Sequence, residues 1–147
     1  MKFDKVIGTG GIGFGIFFKL TDNATLGREE SRSGILTDYK DYCKLHIILS
    51  YVGRLIGKKI PVYAVGKVGD DAVGASLLQE MRETGIECSY VEREKGAPTT
   101  YSVCFQYPDR KGCNITAENG ASGIVDPEFI EQALDRLCPD EKTLALA

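Results

Sequence analysis

Apolar and polar positions follow two different periods along the chain, and they are clearest from Val62 to Ile86. Val62-Tyr63-Ala64-Val65 is a short, continuous apolar run of β-prone residues, as a strand buried on both faces requires. Gly66 to Asp71 is a turn rich in glycine and aspartate. Beyond it Val73, Leu77 and Met81 recur at four-residue steps with Leu78 beside them, the stripe of an amphipathic helix. Asp70 or Asp71 is placed to cap that helix by accepting from free backbone N–H groups. Gly85 ends it, because glycine enters the left-handed conformation without steric cost. Extended character returns from Ile86 to Val91, so the order strand, turn, helix, strand predicts a βαβ unit of a parallel sheet.

The rest of the chain supplies more of both patterns. Lys5-Val6-Ile7 reads as a short buried strand, and Phe14 to Leu20, aromatic and β-branched with a glycine inside, as another. Thr21 to Arg32 is polar and reads as a loop, with Ser31 to Leu36 a second short strand. From Asp38, the expected cap, Tyr42, Leu45, Leu49, Val52 and Ile56 fall at three- and four-residue steps and predict a helix. Tyr101 to Tyr107 predicts a strand with Tyr101, Val103 and Phe105 on one side. Pro108 to Gly112 is a hairpin turn in which Gly112 is expected to take the strained position, and Cys113 to Ala117 should return antiparallel. Asp126 followed by Pro127 marks a capped helix through about Leu137, and Thr143 to Ala147 starts a strand whose apolar edge would lie uncovered. The fold class is therefore α/β: a parallel sheet with flanking helices, carrying a small β-lid built from residues 14–36 and 101–117.

Composition narrows the function. With 147 residues, 43% apolar and 27% charged, the chain fits one globular domain. A net charge of −3 gives no long-range attraction for nucleic acid or an anionic membrane. No apolar run approaches the roughly 20 residues of a membrane span, and Met-Lys-Phe-Asp-Lys lacks the apolar core of a signal peptide, which predicts a cytoplasmic location. Five scattered cysteines and one histidine, with no Cys-x-x-Cys, argue against a zinc site and for reduced thiols.

Gly8-Thr9-Gly10-Gly11-Ile12-Gly13 matches the dinucleotide pattern G-x-G-x-x-G, with Glu29 and Glu30 about 20 residues on. That chemistry needs a helix to begin at the third glycine, and Phe14 to Leu20 favours a strand instead. No Walker-type phosphate loop occurs either.

Gly66-Lys67-Val68-Gly69-Asp70-Asp71-Ala72-Val73-Gly74, followed by Leu77-Leu78 and Thr84-Gly85-Ile86, resembles the G-x-V-G-D-D-x-x-G turn and helix of the ribokinase-like (PfkB) carbohydrate kinases. A Gly-Asp-Asp turn before an amphipathic helix is also sound capping chemistry in any parallel sheet. The resemblance extends over nearly the whole chain and implies the amino-terminal portion of one ribokinase-like domain, residues 1–147. It implies an ATP- and Mg2+-dependent kinase of a sugar, nucleoside or similar small hydroxylated substrate, with a lid that also serves as a homodimer contact. In such a protein the first strand ends in a turn that delivers an Asp to sugar hydroxyls; this chain has Gly11 and Gly13 there. A Gly-Gly-x-x-x-Asn motif should open the next helix, where this chain has Asp41-Tyr42-Cys43-Lys44-Leu45-His46. Either Lys44 and His46 bind a different ligand, anionic or ring-bearing, or the site is not a sugar site; His46 also reads as a structural residue. Tyr101, Val103 and Ala117 match positions that touch the sugar, though alternating strand residues also serve as core. Asn119-Gly120-Ala121-Ser122-Gly123 does not match the family's Gly-Ala-Gly-Asp, because Ile124-Val125 precede Asp126. No catalytic residue and no metal ligand is therefore assigned within the chain. ATP and its base are expected outside this half, and the chain alone should be inactive. The alternative is a non-catalytic binding or regulatory protein on a kinase scaffold.

Overall fold

A computed structural model describes residues 2–147. The chain runs β1 (Lys5–Thr9), β2 (Gly13–Leu20), β3 (Gly34–Tyr42), α1 (Lys44–Ile56), β4 (Val62–Gly69), α2 (Ala72–Glu83), β5 (Ile86–Glu94), β6 (Thr100–Gln106), β7 (Gly112–Thr116), α3 (Pro127–Leu137) and β8 (Thr143–Leu146). Single 3-10 turns lie at Gly57–Lys59 and Ala121–Ile124. Among the described residues no helix is long and apolar enough to cross a membrane.

The main sheet has the order β5-β4-β1-β8, and each of its pairings is parallel. Such a sheet needs cover on both faces. On one face Val6, Val62 and Ala64 pack with Leu45 and Leu49 of α1 and with Leu77, Leu78 and Met81 of α2. On the other, Ile7 and Val65 pack with Ala133 and Leu137 of α3. Each large apolar side chain so buried contributes about 1.5 to 3 kcal/mol.

The starts of α2 and α3 are set by side chains. The Asp71 carboxylate accepts from the Gly74 N–H at 2.7 Å, from the Thr99 N–H at 2.8 Å and from the Thr99 hydroxyl at 2.7 Å. Thr99 Oγ1 in turn accepts from the Gly69 N–H at 3.0 Å. Asp71 thus caps α2 and ties its start to the segment that leads into β6. Asp70 is not the cap; it pairs with Arg93 at 2.8 Å. Gly85 has φ of +86°, the left-handed exit the sequence predicts. Asp126 caps α3 through the Phe129 N–H at 2.8 Å, with Pro127 at the first turn.

A second sheet of order β3-β2-β6-β7 forms the lid. β2 and β6 run parallel at its centre, while β3 and β7 return antiparallel on either side. The central pair is close because Gly13 and Gly15 carry no Cβ: one built there would collide with the Thr100 and Ser102 carbonyl oxygens.

Three expectations are corrected. Gly66 to Gly69 are not part of a turn but extend β4, pairing in register with Val91 to Glu94 of β5, so only Asp70 and Asp71 separate strand from helix. Residues 38–42 belong to strand β3 and not to a helix, so the lid reaches Tyr42 and Asp38 caps no helix. The Asp38 carboxylate instead accepts from the Lys40 N–H at 2.8 Å, and α1 begins at Lys44 after Cys43, which makes no side-chain cap bond. In the β6–β7 hairpin the positive φ of 70° belongs to Arg110 and not to Gly112. Gly112 is there because a side chain would strike the Phe105 carbonyl.

Candidate functional site

In open α/β sheets ligands bind beyond the carboxyl ends of the strands. Here the chain leaves β1 at Thr9 and passes through Gly10 to Ile12 into the lid. The Gly13 carbonyl accepts from the Cys43 N–H at 3.0 Å, which fixes the start of α1 against this turn. The Ser122 hydroxyl closes the same turn, accepting from the Ile12 N–H at 3.0 Å and donating to the Ile12 carbonyl at 2.9 Å. Ser122 N–H donates to Thr100 Oγ1 at 3.2 Å and Ala121 N–H to the Pro98 carbonyl at 2.8 Å, so the 3-10 turn holds the two segments that lead into β2 and β6. Sequence reasoning missed this role of residues 121–122; the only signal was a run of small residues.

The candidate binding residues fall into two groups. Gly11 is exposed beside Cys43, and Gly13 pairs in register with Thr100. Tyr101 lies opposite Phe14, their rings edge to face at 5.1 Å, and Val103 lies opposite Ile16. Ala117 N–H donates to the Tyr101 carbonyl at 2.9 Å. Gly11, Gly13, Tyr101, Val103 and Ala117 are thus brought together along the lid and its root, with Lys44 at the adjoining helix start. Leu45, and not His46, faces the β1 glycine: a Cβ on Gly8 would meet the Leu45 and Leu49 side chains.

His46 lies apart, in a groove between α1 and α2 that is lined by Tyr42, Ser50, Tyr51 and Glu80 among others. Its ring packs against that of Tyr42, centroids 4.3 Å apart. Burial pushes the His46 imidazole below its usual range, with the nearby Glu80 charge opposing. Burial raises the Tyr42 hydroxyl most, and the Glu80 hydrogen bond and charge add to this, pushing it up to about 12. Glu80 itself is held low: burial would raise it, but Lys40, Tyr42 and Ser76 all donate to its carboxylate.

The glycine turn and the paired aspartates have structural roles. The Gly8–Gly13 turn opens strand β2, so it offers no helix N-terminus to a phosphate. Asp70 and Asp71 are committed to Arg93 and to the α2 cap. Among the described residues no group of three or more His, Cys, Asp or Glu is placed to hold a metal ion.

A parallel α/β layer with a four-stranded lid rooted at its strand ends defines a ribokinase-like fold. The model of the pfkB family carbohydrate kinases matches residues 47–144, and the chain belongs to that family. Similar solved structures include ribokinase from Giardia lamblia (21% identity, TM-score 0.71, covering 90% of this chain and 38% of that one). Ribokinase from Cryptococcus neoformans var. grubii serotype A, in complex with ADP, has 21% identity and a TM-score of 0.66 over 80% of this chain and 35% of its own. Fructokinase from Xylella fastidiosa has 15% identity and a TM-score of 0.61 over 86% of this chain and 36% of its own. The chain therefore spans less than half the length of these proteins. No curated protein sequence matches it.

Proposed function

We propose that this chain is the acceptor-binding portion of an ATP-dependent, Mg2+-dependent cytoplasmic kinase that phosphorylates a sugar, nucleoside or similar small hydroxylated molecule. The observation that carries this reading is the family match over residues 47–144, on a fold whose lid is rooted where the main-sheet strands end. The acceptor would lie against Gly11, Gly13 and Lys44 and under Tyr101, Val103 and Ala117. Backbone groups around the two glycines supply hydrogen bonds, and the apolar lid side chains exclude water. Catalysis in such a kinase is positioning plus charge stabilisation, and the groups that hold nucleotide and base would come from outside these residues. The exposed lid residues Tyr39 and Ile115 support a homodimer formed through the lid.

A glycine in place of an acidic residue at position 13 favours one rival, a non-catalytic binding protein on the same scaffold. ADP release from ATP and Mg2+, assayed over a panel of sugars and nucleosides with the intact protein that carries this chain, separates the two. Turnover of about 1 to 100 per second with one acceptor class is the kinase result. Binding without ADP release is the rival's, and the absence of both would overturn the two readings together. The 147-residue chain alone is expected to release no ADP with any acceptor.

A further inference from the structure

The groove between α1 and α2 shares none of its lining with Gly11, Gly13, Tyr101, Val103 or Ala117. Its volume of about 400 Å3 lies within the roughly 300 to 1,000 Å3 of small-molecule sites. The groove mixes polar and apolar walls, and it is unfinished on its α1 side. His46 is only 4% exposed, and its Nδ1 is buried without a hydrogen-bond partner. Ser50 Oγ, one turn further along the same face of α1, is also buried and unpartnered. More than nine in ten buried polar groups are paired, so two orphans one helical turn apart, just beneath the groove wall, mark the place of a partner that reaches them once the side chains over them move.

The other walls narrow its chemistry. Glu80 is already satisfied by Lys40, Tyr42 and Ser76. Glu83 and Arg54 bring opposite charges to the same space, so neither an anion nor a cation meets a field of one sign. Ile47 and the ring of Tyr51 offer apolar surface to the C–H face of a small ring. We propose that this groove binds a small neutral polyhydroxylated molecule, a sugar or polyol, through His46 and Ser50, at a site separate from the acceptor cradle. A hydroxyl can donate to a neutral imidazole nitrogen, and a neighbouring one can accept from the serine hydroxyl. Burial keeps the imidazole in that neutral form. The Tyr42 ring lies against the imidazole and must shift for a ligand to reach Nδ1. Tyr42 is the last residue of lid strand β3, so occupancy of the groove is coupled to the lid.

His46 is the sole histidine, so its ring protons are a unique NMR signal in the unmodified protein. The chain is titrated with D-ribose, D-glucose, xylitol and myo-inositol, and with inorganic phosphate as the charged control. At least one polyol should shift the His46 signal saturably, with a Kd of about 1 mM or tighter. Ser50→Ala should weaken that binding about tenfold. Tyr51→Ala, at an exposed wall residue that α1 does not need for packing, should weaken it severalfold even if Ser50→Ala fails to fold. The proposal is overturned if no polyol moves the signal, if phosphate alone moves it, or if both variants bind as the native chain does. It is also overturned if the shifts are confined to the amides of Gly13, Tyr101 and Ala117, which would place the polyol in the cradle only.

Discussion

Asp71 is held by two competing effects. Burial alone would raise its carboxyl, but the donors from Gly74 and Thr99 outweigh it and keep the group below the usual carboxylate range. A folded-state value below the unfolded one means that its contribution is fully present above about pH 3.9 and is lost as pH falls through the folded value. Asp71→Ala should destabilise the chain by about 2 to 4 kcal/mol at pH 7, since it removes a cap and leaves the Thr99 donors unpaired. Urea unfolding should show that deficit shrinking towards pH 3. His46 follows a different window. Its folded value is lowered, so the unfolded state takes up a proton first as pH falls, and stability declines below about pH 6.5. His46→Gln should flatten the stability profile between pH 7.5 and 5, as thermal melts would measure. The sequence pointed to an aspartate cap but left two candidates. Only the partners decide, because Arg93 of β5 takes Asp70.

Elements were legible wherever a period and a stop signal agreed. α2, β5 and α3 each lie where the apolar pattern and the flanking Asp, Gly or Pro place them, whereas β4 runs past its apolar stretch through Gly69. The start of α1 misled for a physical reason. Tyr42 continues the helical spacing of Leu45 and Leu49 and packs on His46, but it does so from the end of a strand, and Cys43 provides no cap to mark the change. Cys43→Ser would supply that cap on a backbone already extended there, and should raise stability by about 0.5 to 1 kcal/mol. The lid depends on another local feature. Gly15→Ala would drive a methyl into the Ser102 carbonyl and part β2 from β6. Hydrogen exchange should then speed up in residues 13–20 and 100–106 while β1 and β4 stay protected.

At the scale of the molecule, two separate sheets joined at one end are what the alternation of strand and helix signals implied, with hairpin-like inserts breaking the parallel run. The strand order β5-β4-β1-β8 needs the pairing itself, since short parallel strands carry no register information beyond their apolarity. The proposed acceptor cradle has less behind it in the sequence. Its residues are glycines, a lysine and alternating strand positions, all with ordinary structural uses, and only the family resemblance singled them out. The bracket that Ser122 forms on Ile12 depends on residues 110 apart in sequence, which no local pattern records.

An amide chemical-shift titration of the chain with sugars and nucleosides, free of nucleotide and metal, tests acceptor binding most directly. Saturable shifts should appear at Gly11, Gly13, Tyr101, Val103 and Ala117 with one class of hydroxylated ligand. The affinity should be no tighter than about 1 mM, because a site built from one side leaves much of the ligand in water. If no sugar or nucleoside moves those five amides while the chain is folded, the cradle is not an acceptor site and the proposed function is contradicted.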